Sequence, residues 1–299
     1  MRRHPTARVR AAVGALVLLS LTLLAGCSAS DSSRPAASTP ASSAPQTTAP
    51  PLPTPTSTLR TGTASDPLRY VALGDSYSAG MGGGDEHGAC VRSPNAYPKL
   101  LAQSNTITLA RFAACSGATT DDVLADQLDA LDPQVDLVTI TIGGNDLSVS
   151  ALPSACARGE TPTCRAAVTT SVNLLNSLPH KLAKTYKAIA QAAPHARILV
   201  ADYPLFYDLP TITDKTIGSD QVSAAVAVDT AVASLDATIE TAVQKQREAG
   251  TDIQFVDVSF GGHGVSSKHP WFVLKGLEAF HPTEAGYQRY AKTIAAFMH

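Results

Sequence analysis

Arg69-Tyr70-Val71-Ala72-Leu73-Gly74-Asp75-Ser76-Tyr77-Ser78-Ala79-Gly80 is the stretch on which the fold turns. Residues 69–73 form a short, mainly apolar run that closes on Gly74-Asp75, the pattern of a buried strand stopping at a loop. Similar runs lie at 136–142, 197–201 and 253–258, with a weaker one at 106–112. Between them, residues 121–131, 165–192 and 221–248 have helical composition and spacing, with a break near Pro179. A last helix is expected over 283–298 with Thr283 as its N-cap, and Gly250 suits a helix stop. Strands alternating with helices predict an α/β fold, a three-layer α/β/α sandwich around a central parallel sheet. Ligands in such sheets sit beyond the C-terminal strand ends, which puts Gly74-Asp75-Ser76 and Gly143-Gly144-Asn145-Asp146 on one rim.

The chain ahead of this domain reads as an address. Arg2, Arg3, Arg8 and Arg10 precede an apolar run over 11–25 that ends in Leu24-Ala25-Gly26-Cys27. A short apolar segment after a basic start predicts an export signal over 1–26 rather than a spanning helix. Its ending resembles a bacterial lipobox, which implies cleavage before Cys27 and a diacylglyceryl chain on that residue. The product would be a lipoprotein on the extracellular face of the membrane, or a secreted protein. Ser, Thr, Ala and Pro dominate the rest of 27–67, a composition too poor in apolar groups to repay ordering. That segment is expected to be a solvated tether, with the folded domain over 68–299.

Composition excludes more than it identifies. Hydrophobic residues make up 44% of the 299 and charged ones 16%, enough for one sizeable core. A formal net charge of −2 and the lack of a basic stripe argue against a nucleic-acid partner. Nothing indicates oligomerisation, so a monomer is expected. Cys90, Cys115, Cys156 and Cys164 are an even set suited to an oxidising compartment, and three pairings are open to them. Zinc-type Cys-x₂₋₄-Cys pairs are absent, and His263 and His269 lack metal-ligand helical spacing. No metal and no cofactor are expected; His87, His180 and His195 read as surface residues.

Chemistry concentrates in four places. Ser76, at the end of a buried strand, presents a hydroxyl that needs a neighbouring base to act as a nucleophile. Asn145 is delivered by a glycine turn to the same rim and offers two N–H donors without a charge, as an oxyanion hole requires. Asp146 beside it reads as a turn or cap residue. Gly117, in Cys115-Ser116-Gly117-Ala118-Thr119, allows close backbone approach and a further N–H. His281, ahead of Pro282 and the last helix, has the titration range of a general base. His269 is also followed by a proline, but Ser266 rather than an acid stands three residues before it, whereas Glu278 holds that place before His281.

Those four blocks, in that order, resemble the SGNH (GDSL) hydrolase family over residues 68–299, and in particular the secreted, disulfide-bearing lipases and esterases of actinobacteria. The resemblance implies a flavodoxin-like sandwich and an ester hydrolase with Ser76 as nucleophile and His281 as base. The Ser76 and Gly117 N–H groups and the Asn145 side chain would form the oxyanion hole. It also implies the pairings Cys90–Cys115 and Cys156–Cys164. No Gly-x-Ser-x-Gly elbow surrounds Ser76, which argues against an α/β-hydrolase. The family pattern has Asp three residues before the histidine, where Glu278 stands here. Glu278 is therefore a candidate third member of the triad, a main-chain carbonyl being the alternative. The expected substrates are small-molecule or lipid acyl esters. Acyl transfer to an envelope alcohol and a non-catalytic solute-binding lipoprotein are the competing functions. Residues 80–98 and 203–218 are the expected walls, with Phe206, Tyr207 and Leu209 either lining an acyl groove or packing the loop.

Overall fold

A computed structural model describes residues 59–209, 212 and 218–298. The expected export signal, Cys27 and most of the tether lie outside these. Five strands form one wholly parallel sheet in the order β2-β1-β3-β4-β5: β1 (Leu68–Gly74), β2 (Ile107–Phe112), β3 (Leu137–Thr141), β4 (Arg197–Ala201) and β5 (Ile253–Val256). Every residue of β3 and β4 is buried, which is why both read as mainly apolar runs, with Thr139, Thr141 and Arg197 the polar members. The edge strand β2 buries few of its residues, and its weak sequence signal follows from that.

The helices are α1 (Ser76–Ala79), α2 (Tyr97–Leu101), α3 (Thr120–Asp122), α4 (Leu152–Cys156), α5 (Pro162–Leu174), α6 (Leu178–Ala192), α7 (Ser219–Glu248) and α8 (Glu284–Ala295). The chain steps from β1 outward to β2, then returns past β1 to β3, β4 and β5. Right-handed crossovers therefore put the two sets of connecting helices on opposite faces. Accordingly α2 packs with α8, while α6 packs with α3 and α7. The direction reverses at β1 and β3, opening a crevice at their C-terminal ends.

Local departures from the expected elements have local causes. The helix read over 165–192 is two, α5 and α6, and Pro179 sits in the first turn of α6, where its missing N–H costs nothing. The segment read as a helix over 121–131 starts as α3 but widens to a π turn over Val123–Gln127 and tightens to a 3₁₀ turn over Leu128–Ala130. Thr283 caps α8 by accepting from Gly286 N–H. Residues 59–67 fall on the expected tether, yet Arg60 pairs with Asp66 at 2.6 Å and reaches across to Asp136 at 3.0 Å. The disulfides are Cys90–Cys115 and Cys156–Cys164.

One buried carboxylate makes stability depend on pH. Asp202, just past β4, accepts from Val258 N–H at 2.8 Å. Burial, reinforced by the neighbouring Asp257 charge, pushes its carboxyl up to about 8. The folded state therefore holds a proton that the unfolded chain releases near pH 4. Stability from this group is full in acid and is lost as pH rises from about 4 to about 8. Asp202→Asn keeps the acceptor for Val258 and removes the titration. Its melting temperature should exceed that of the parent by roughly 10 °C at pH 8 and nearly match it at pH 4.5, as thermal unfolding across that range would show.

Candidate active site

The site starts from the end of β1. Gly74 has φ 119°, and a Cβ there would lie 2.3 Å from the Thr141 carbonyl of β3, so only glycine fits. Buried Gln127 grips this residue twice, accepting its N–H at 2.7 Å and donating to its carbonyl at 2.9 Å. The π turn that carries Gln127 thus fixes the strand end just ahead of Ser76. Asp75 is the N-cap of α1, with Oδ1 accepting from Tyr77 N–H at 3.0 Å and from the Thr141 hydroxyl at 2.8 Å. Its other oxygen accepts from the Tyr203 hydroxyl, which itself accepts from Gly144 N–H at 3.2 Å. Burial raises the Asp75 carboxyl to about 6, against the hydrogen bonds that hold it down. One phenol therefore ties the loop after β1 to the loop after β3.

Ser76 occupies the first helical position, and its Oγ lies 2.9 Å from His281 Nε2. The imidazole is braced from behind. Its Nδ1 is 3.1 Å from the Glu278 main-chain carbonyl, which also accepts His281 N–H at 3.0 Å. A carbonyl can only accept, so Nδ1 carries the proton and Nε2 turns its lone pair to the serine hydroxyl. Phe280, at φ 67°, shapes this turn, and its carbonyl accepts from the Tyr77 hydroxyl at 2.8 Å. Burial lowers the His281 pKa below its usual 6.5, opposed by the Glu278 and Ala279 carbonyls. What meets the ring is the carbonyl of Glu278: among the described residues no hydrogen bond or ion pair joins its carboxylate to His281. The turn that brings residue 278 back over the imidazole presents its backbone. His269 is exposed and does not line the cleft of Ser76; its carbonyl faces His263 Nδ1 at 2.8 Å.

Asn145 borders the same cleft. One of its amide hydrogens goes to the Ala118 carbonyl at 3.0 Å, leaving the other for a ligand. Asp146 acts as a cap: its carboxylate accepts from Thr120 N–H at 2.9 Å and the Thr120 hydroxyl at 2.7 Å, and takes Lys181 at 3.1 Å. These bonds pin the Asn145 loop to the start of α3, directly after Gly117. Gly117 itself adopts φ 85°, and its N–H has no partner among the described residues. It lines an adjoining depression with Cys115 and Ser116 rather than the cleft of Ser76.

The cleft is narrow, about 30 Å³, between Ser76, Asn145, Val149, Phe206, Phe280 and His281. A depression of about 700 Å³ lies on the far side of Tyr203, but it holds neither the serine nor the imidazole. Phe206 borders the cleft, whereas Tyr207 and Leu209 line the larger depression. No residue of 80–98 lines the cleft; a Cβ on Gly82 would stand 3.1 Å from that of His281, so this segment backs the histidine instead. Tyr203 and Gln127 escaped the sequence reading of the site. Tyr203 follows β4 on the active rim, a positional signal, while nothing in the sequence marks Gln127.

A serine hydroxyl joined to a neutral imidazole at a sheet rim, with an amide donor beside it, is the constellation of a serine hydrolase of the SGNH architecture. The chain belongs to the GDSL-like lipase/acylhydrolase family, whose pattern it matches over residues 72–289, and it is an enzyme of the esterase/lipase kind. It is 38% identical over 229 residues to a lipase of Streptomyces rimosus, covering 74% of this chain and 82% of that one. A lipase 1 of Streptomyces coelicolor is likewise 38% identical, over 227 residues, covering 73% and 81%. Among solved structures, an extracellular lipase of Streptomyces rimosus superposes with a TM-score of 0.68 at 34% identity, covering 77% of this chain and 99% of that one. A phospholipase A1 of Streptomyces albidoflavus does so with a TM-score of 0.68 at 33% identity, covering 79% and 99%.

Proposed function

We propose that the protein hydrolyses acyl esters outside the cell through a covalent acyl-enzyme on Ser76, with His281 as general base. The 2.9 Å contact between Ser76 Oγ and His281 Nε2 carries this reading. As Oγ attacks the ester carbonyl, its proton passes to Nε2, and the carbonyl electrons move to oxygen. The resulting oxyanion is received by the Ser76 N–H and the free Asn145 amide hydrogen, which border the cleft. The Gly117 N–H, unpartnered among the described residues, joins them once the substrate reaches toward the neighbouring depression that Gly117 lines. Collapse expels the alcohol, which takes the proton from Nε2. Water then attacks the acyl group while Nε2 accepts its proton, releasing the acid and restoring Ser76. The Glu278 carbonyl fixes the imidazole's orientation and tautomer throughout.

Location is part of the proposal. The lipobox-like ending at Cys27 supports a lipid-anchored protein on the outer face, and similarity to an extracellular lipase supports export. Two disulfides suit that compartment. The test is a pH-stat titration of a short-chain ester, which should release one acid per ester consumed. Glu278→Gln should keep kcat within a few-fold, because its carbonyl remains. A loss of roughly 10³ would instead assign the carboxylate a triad role. Appearance of a new ester in place of acid when an alcohol is added would favour acyl transfer.

A further inference from the structure

We infer that the loop tip Leu274-Lys275-Gly276-Leu277 is a lipid-surface anchor that seats the catalytic cleft on aggregated ester substrate. The tip belongs to a hairpin-like loop. Phe272 bridges Pro282 in antiparallel fashion, Val273 N–H donates to the His281 carbonyl at 2.9 Å, and Phe280 N–H donates to the Val273 carbonyl at 2.8 Å. The returning arm of this loop is the one that carries His281. At its tip Leu277 is 94% exposed and Leu274 49%, while one turn later Phe280 walls the cleft. The neighbouring loop carries Leu205, 43% exposed, next to Phe206, whose ring packs on Phe280 at 5.7 Å. Two cleft-forming loops thus each line the cleft with a phenylalanine, Phe206 buried and Phe280 partly buried, and carry an exposed leucine beside it.

Single exposed leucines are ordinary, but three of the six exposed large apolar residues among those described, Leu205, Leu274 and Leu277, sit on the two loops that form the cleft. The other exposed large apolar residues among those described are Val172, Leu174 and Val226. The first two lie at α5, which packs on the Asn145–Leu147 turn of the site. Val226 lies in the early turns of α7, the end remote from β5 and so toward the active rim. Two leucines at a loop tip fall well short of the broad complementary patch, roughly 800 Å² per partner, that a protein interface needs. A lipid surface accepts a projecting apolar tip without such a match. Lys275 within the tip is balanced by Glu278 directly after it, so residues 274–278 carry no net charge and the surface they fit is neutral overall, such as a zwitterionic bilayer.

The inference rests on the ester-hydrolase reading for its purpose, but its test does not need turnover. The exported chain, residues 28–299, which carries neither the apolar export signal nor Cys27, is sedimented with phosphatidylcholine vesicles. Leu274→Ser with Leu277→Ser should lower the partition coefficient at least tenfold, since each leucine is worth roughly a factor of ten on burial. The rate on a long-chain ester presented in those vesicles should fall in parallel, with kcat/KM for a dissolved short-chain ester within twofold of the parent. Leu277→Trp should retain or raise vesicle binding, and it serves if the double variant is poorly produced. Unchanged sedimentation of the double variant, or no sedimentation of the parent at millimolar lipid, overturns the inference. Lack of turnover on the dissolved ester would overturn the hydrolase reading instead.

Discussion

With Ser76 replaced by alanine, turnover of a short-chain aryl ester is expected to fall by roughly 10³–10⁶-fold, with the melting temperature nearly unchanged. The size of the loss follows from what the hydroxyl does. It is the atom placed 2.9 Å from His281 Nε2, and no other hydroxyl is bonded to that nitrogen among the described residues. The fold should not notice, because the loop is held by its neighbours: Asp75 caps α1, Gln127 clamps Gly74, and Ser78 bonds Tyr97 and Thr141 at 2.7 and 2.8 Å. Steady-state rates alongside a melting curve check both halves. A variant retaining a tenth of the parent's kcat would remove Ser76 from the mechanism.

His281→Ala is expected to lose a similar factor, on the order of 10³–10⁶, and the double variant with Ser76→Ala should be no worse than either alone. In the proposed mechanism Ser76 and His281 act as one unit, so removing either removes the same step. The parent enzyme should also show a defined pH dependence. The base works only when Nε2 is unprotonated, so kcat/KM rises with pH and then levels off. Burial disfavours the imidazolium, placing the inflection below the usual 6.5. In His281→Ala this inflection should vanish from the residual rate. An inflection well above 6.5 would mean that a carboxylate, rather than a carbonyl, supports the ring.

Much of this arrangement is visible in the sequence because burial writes itself into composition. The strands β1, β3 and β4 are packed on both faces, so their residues are mainly apolar, and glycine turns follow two of them. The order of those turns places Ser76 and Asn145 together without any knowledge of coordinates. Glu278 shows where such reading stops. A residue three before His281 brings both a carboxylate and a carbonyl near the ring, and only the turn at Phe280, with its φ of 67°, decides which one arrives. Gln127 is hidden for a related reason. A glutamine within a helical stretch looks exposed, yet a π turn directs it to buried bonds with Gly74. Tyr203 reads as one more aromatic after a strand; its link from Asp75 to Gly144 depends on side-chain reach, which periodicity does not encode.

Activation of Ser76 by His281 is tested most directly by covalent trapping. A fluorophosphonate reacts with a serine whose proton is being withdrawn, and peptide mass mapping then identifies the labelled residue. The predicted result is a single phosphonyl adduct on the peptide containing Ser76, formed in the parent and in Glu278→Gln and absent from His281→Ala. An adduct on another residue, or an active enzyme that takes up no label at Ser76, would contradict it.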